Sequence, residues 1–166
     1  MNRKHFLTTS GLGVLGTVSL PLLGQEDRPD PIDMALVKDF VIAGHGKFDE
    51  VRDMLAEYPN LISCRYDWGN GDYEEAIEGA GHVGNEEIAN YLIENGARVN
   101  LFVLTMLGKT DLVLPVLDEY PQLVNGLGAH GFTLLHHANV GGERSLEIKE
   151  YLESKGLSKT KVSIRG

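Results

Sequence analysis

Apolar residues recur in short stripes with helical spacing. Val51, Met54, Leu55 and Tyr58 stand at i, i+3, i+4 and i+7, and Ile88, Tyr91 and Leu92 repeat three of those positions. Such spacing lines one face of an α-helix, so these residues are expected to form buried stripes. Helix breakers bound the stripes. Pro59 and Pro121 follow two of them, while Gly96 and Gly156 suit the left-handed residue after a helix. Asp30-Pro31 suits a first helix start, because aspartate caps free N–H groups and proline is tolerated in the first turn. Pro115 falls inside a striped segment, where it is expected to kink or shorten the helix.

The stripes repeat over longer distances. Gly46-Lys47-Phe48-Asp49 and Leu55-Ala56-Glu57-Tyr58-Pro59 reappear 62 residues later as Gly108-Lys109-Thr110-Asp111 and Leu117-Asp118-Glu119-Tyr120-Pro121. At an offset of 60, Glu87-Ile88, Tyr91-Leu92 and Gly96 match Glu147-Ile148, Tyr151-Leu152 and Gly156. Two interleaved pairs imply about four helix-turn-helix units, an all-α helical repeat solenoid. The expected turn glycines are Gly46, Gly84, Gly108 and Gly142, spaced by 38, 24 and 34 residues.

Charge narrows the partners. Asp and Glu number 24 against 15 Lys and Arg, a formal net charge of -9, which is the wrong sign for holding nucleic-acid phosphates. The lone cysteine, Cys64, has no partner for an intrachain disulfide. Residues 1–24 carry Arg3 and Lys4 ahead of a weakly apolar, acid-free run and are expected to be a signal peptide. That run falls short of the roughly 18–20 residues of a spanning helix, so no stable membrane span is expected. The organisation follows: signal peptide 1–24, linker 25–30, repeat domain 31–156 and C-terminal tail 157–166, in an exported, periplasmic protein with an uncleaved N-terminal anchor as the alternative.

Gly131-Phe132-Thr133-Leu134-Leu135-His136-His137-Ala138 resembles the Gly-x-Thr-Pro-Leu-His-x-Ala segment of ankyrin repeats, departing at Leu134. Gly84-Asn85 and Leu92 to Asn100 resemble the family's turn and closing segment. The resemblance covers roughly residues 31–156 and implies an ankyrin-like stack that binds a protein partner. It also implies that Thr133 and His136 brace neighbouring repeats, with Gly46, Gly84, Gly108 and Gly142 as structural turn positions. Arg3-Lys4-His5-Phe6-Leu7 resembles a twin-arginine export signal, with Lys4 in place of the second arginine, which leaves the general secretory route open.

The segment Arg65 to Glu75 holds the only tryptophan, two tyrosines and four acids around Gly69-Asn70-Gly71. Aromatic and acidic residues on a loop suit recognition or fill a gap in the stack. Asp67, Trp68, Asp72, Tyr73, Glu78, His82 and His137 are the candidate partner contacts. Glu74, Glu75 and Glu78 fit paired carboxylates at helical spacing, and a solvated acidic helix face explains them equally well. His130, His136 and His137 lie close in sequence, but adjacent His136 and His137 point about 100° apart on a helix and make a poor chelate. No catalytic, metal-ligand or cofactor motif stands out. The expected function is therefore a non-enzymatic protein-protein interaction module with no cofactor. The alternative is a small-molecule or metal-binding protein with its pocket near the Trp68 loop and His82/His137.

Overall fold

Among the described residues, four helices start at a residue whose side-chain oxygen accepts from a free backbone N–H group. A computed structural model describes residues 29–164. The expected signal peptide and residues 25–28 of the linker lie outside the described residues. Helix α1 spans Met34–Ala43, and Asp33 caps it by accepting from the Ala35 N–H at 2.8 Å. Asp33, rather than Asp30, holds the start because it stands immediately before the first helical residue.

The helices follow in pairs: α1 with α2 (Phe48–Glu57), α3 (Ala76–Val83) with α4 (Glu86–Glu94), α5 (Leu101–Met106) with α6 (Thr110–Glu119), and α7 (Leu134–Gly141) with α8 (Leu146–Ser154). The first helices pack in file, α1 on α3, α3 on α5 and α5 on α7, while α2 packs on α4 and α6 on α8. Val51, Leu55, Ile88 and Leu92 from the apolar stripes are buried, together with Phe40, Val41, Ile77, Val103 and Met106. Val113, Leu117, Leu134, Ile148 and Leu152 form a second cluster. Among the described residues no helix is long and apolar enough to cross a membrane.

Two expectations need correction. Pro115 does not shorten α6, which is ten residues long like its counterpart α2. Its ring is exposed, and burial of Val113 and Leu117 outweighs the lost backbone bond. The all-α expectation also misses a small antiparallel sheet, β1 (Arg65–Asp67) with β2 (Tyr73–Glu75), in register Arg65↔Glu75 and Asp67↔Tyr73. The sheet falls between the first and second helix pairs, and β1 packs on α1.

The C-terminal segment is tied down by backbone bonds. Thr133 N–H donates to the Thr160 carbonyl at 3.1 Å and Val162 N–H to the Gly131 carbonyl at 2.9 Å. The Thr133 hydroxyl donates to the Lys159 carbonyl at 2.7 Å. Residues 159–162 thus form a strap along the segment that carries His130.

The turn glycines are not equivalent. Gly108 has φ +66°, and a Cβ there would collide with the Arg144 carbonyl; Gly46 lies outside the left-handed region with open space around it. Gly108→Ala is expected to cost about 2–4 kcal/mol, combining left-handed strain with overpacking. Gly46→Ala is expected to be neutral or to stabilise by up to about 1 kcal/mol. Urea unfolding of both variants checks the contrast, and equal costs would refute it.

Candidate metal centre

A short hairpin sets the geometry. Asp67 Oδ1 accepts from the N–H groups of Gly69 at 2.8 Å and Gly71 at 3.2 Å, and Trp68 N–H donates to the Asp72 carbonyl at 2.9 Å. These bonds fold the Gly-rich tip back so that β2 turns Glu74 inward. The Glu74 side chain is fully buried. Glu74 and Glu75 therefore do not form the expected solvated helix face. Glu75 is buried but paired with Arg65 at 2.9 Å and Arg98 at 3.4 Å. Among the described residues, the ion-pair contacts of Glu74 are all with histidines.

Three histidines from separate elements meet that carboxylate. His45, in the turn after α1, brings Nε2 to 3.3 Å from Glu74 Oε1. His82, on α3, brings Nδ1 to 3.2 Å from the same oxygen. His130 brings Nε2 to 3.3 Å from Oε2, which also accepts from the Trp68 indole N–H at 2.7 Å. Room for the His45 ring depends on Gly79, where a Cβ would lie 2.8 Å from the imidazole. His130 adopts a left-handed φ of +59°, a conformation that costs an L-residue roughly 1–2 kcal/mol. Asp72 offsets this cost by accepting from His130 N–H at 2.7 Å and contacting its Nδ1 at 2.9 Å.

The outer bonds decide which ring nitrogens carry protons. His45 Nδ1 lies 3.0 Å from the Val41 carbonyl, which can only accept, so this nitrogen donates. His130 Nδ1 donates to the Asp72 carboxylate by the same reasoning. In their neutral forms both rings then present an Nε2 lone pair to a carboxylate oxygen. Glu74 Oε1 and His82 Nδ1 are buried without a hydrogen-bond partner, though only 3.2 Å apart. Where neutral His45 and His130 turn Nε2 lone pairs toward Glu74, the facing lone pairs repel unless a cation, a proton or a metal ion, stands between them.

A divalent metal is such a cation. Donors held about 2.0–2.2 Å from a tetrahedral ion lie about 3.3–3.6 Å from one another, close to the observed 3.2–3.3 Å separations. One donor atom from each of His45, Glu74, His82 and His130 falls within 4.8 Å of all the others. The Asp72 and Val41 contacts are the outer-sphere bonds that fix ring orientation in histidine metal sites. Electrostatics favours the ligand forms. Burial holds His82 down at about 4, against the opposing pull of Glu74, and so keeps it neutral at pH 7. Burial by itself would raise Glu74, but His45 and the neighbouring imidazoles overcome this and hold it below its usual range. The Glu74 carboxylate, 3.3 Å away, raises His45 against the opposing effect of burial.

The sequence candidates are dispersed. Trp68, Asp72 and His82 join the centre, while Asp67 braces the hairpin. Glu78 forms a capping box with Glu75 and accepts from Asn100 at 2.7 Å. Tyr73 is 49% exposed, the one aromatic candidate facing solvent. His137 lies apart: its buried Nδ1 donates to the Thr133 carbonyl at 2.8 Å and its ring contacts Phe102. His136 stacks on Phe132 and reaches the His82 carbonyl at 2.7 Å, while Thr133 caps α7. His45, Glu74 and His130 belong to the cluster but not to the sequence candidates. One signal was available: His45 and His82 stand one and two residues before the turn glycines Gly46 and Gly84, so stacking brings them together. The chain matches no model of a known protein family and no curated protein.

Proposed function

We propose that this protein binds one divalent first-row transition metal through His45, Glu74, His82 and His130, in an exported, ankyrin-type stack of helix pairs. The carrying observation is the convergence of three imidazole nitrogens on a buried carboxylate whose Oε1 has no hydrogen-bond partner. Three nitrogens and one carboxylate suit zinc, cobalt, nickel, iron or manganese; magnesium and calcium favour all-oxygen shells. The file of first helices and the Thr133-x-x-His136 segment support the ankyrin-type reading. The residues at 1–24 support export. With Trp68 and Asp72 of the hairpin drawn in beside His82 of α3, metal binding accounts for more of the hairpin than a partner-binding surface does.

The test is stoichiometry. Protein stripped with chelator and dialysed against zinc or cobalt is expected to retain one equivalent by elemental analysis. His45→Ala and His130→Ala, each removing one ligand, are expected to weaken binding at least 100-fold while circular dichroism stays helical. Less than 0.2 equivalents in the parent protein at micromolar free metal would overturn the reading.

A further inference from the structure

The four ligands are not equally covered. Glu74 and His82 form the closed back of the site, with side-chain exposures of 0% and 8%. His45 and His130 form its front, at 30% and 25%. In front of them is a pocket of about 270 Å³ lined by Ile42, His45, Trp68 and His130. Two ligands are therefore also pocket walls, and the remaining walls are an isoleucine and an indole. Trp68 is fixed by its bond to Glu74 and by edge contact with Tyr66, whose ring centroid is 4.9 Å away. Ile42 is 39% exposed, an apolar side chain left at the mouth.

Resting on the metal reading above, we propose that the bound metal keeps an exchangeable coordination position opening into this pocket. The position takes the carboxylate of a small apolar monoacid, with its hydrocarbon body against Ile42 and Trp68. Three features select this class. The partly exposed His45 and His130 leave the pocket side of the donor set open, whereas buried Glu74 and His82 close the back. A divalent ion with three neutral imidazoles and one carboxylate retains a single positive charge, which one monoanion neutralises. The third is room: a cavity of about 150 Å³ holds benzene, so an open pocket of about 270 Å³ has space for one ring or a short chain.

Cobalt-loaded protein tests this with benzoate and azide as probes. Benzoate is expected to shift the cobalt visible bands and to quench Trp68 fluorescence saturably with one site per metal. Ile42→Ser, which removes an apolar wall without adding charge, is expected to raise the benzoate dissociation constant about fivefold or more relative to that of azide. Cobalt uptake without any response to either anion would overturn this inference and leave the metal reading standing. A response to azide alone would overturn the apolar monoacid assignment. Failure to take up cobalt would overturn both.

Discussion

Zinc at a thousandfold excess over its dissociation constant is expected to raise the unfolding free energy by about 4 kcal/mol, shifting the thermal midpoint upward by roughly 15 °C. The stabilisation follows from mass action, because the four donors come together only in the folded chain. Glu74→Gln is expected to remove most of the zinc-induced shift, since an amide supplies no negative charge at the point where three imidazoles converge. The metal-free variant is expected to stay within about 1 kcal/mol of the parent at pH 7.5. A glutamine keeps an oxygen for the Trp68 indole while removing a buried charge whose ion-pair contacts, among the described residues, are all with histidines. Calorimetric scans of both proteins, with and without zinc, read the two effects separately. Equal zinc-induced shifts in parent and variant would remove Glu74 from the ligand set.

Metal-free protein is expected to lose stability steeply between pH 6.5 and pH 4. Burial depresses His82 and His137 to about 4 in the folded state, against 6.5 for an unperturbed histidine. The unfolded chain therefore binds more protons across that window, and stability rises with pH through it. Each histidine contributes on the order of 3 kcal/mol to the slope. Two groups act differently. The raised His45 contributes stability that is present below 6.5 and lost as pH rises through its folded value. The lowered Glu74 contributes stability that is present above its unfolded value and lost on strong acidification. A combined loss of roughly 6 kcal/mol is comparable with the whole stability of many domains. Urea midpoints at pH 7.5, 6 and 4.5 measure the slope. His137→Asn keeps an N–H donor near the Thr133 carbonyl but cannot titrate, and it is expected to flatten the slope by about half. An unchanged slope would show that His137 does not supply it. Zinc is expected to be released over the same interval, since protons compete for its ligands.

Helix positions are legible in the sequence because they follow local rules. Val51, Leu55, Ile88 and Leu92 lie on stripes of helical period, and burial follows from their spacing. Tyr58 shares that spacing yet is 41% exposed, because it falls just beyond the end of α2. Glu74 shows the limit. Three acids at positions 74, 75 and 78 suit a solvated helix, and only pairing of β1 with β2 turns Glu74 inward. His45 carries no local signal of its chemistry, because its partners lie 29, 37 and 85 residues further along the chain. His130 is hidden differently. Its role depends on a left-handed backbone held by Asp72, which lies 58 residues earlier.

Stacks of helix pairs that touch mainly their neighbours unfold with limited cooperativity, since either end can fray while the rest persists. The strap at residues 159–162 hydrogen-bonds to the segment carrying His130, and His45 lies beside the first helix pair. An ion held between those histidines would link the turn of the first helix pair to the segment leading into the last pair. On the proposed metal reading, occupancy is expected to make loss of either segment cost the whole centre, so that the array unfolds more cooperatively than a row of separable pairs.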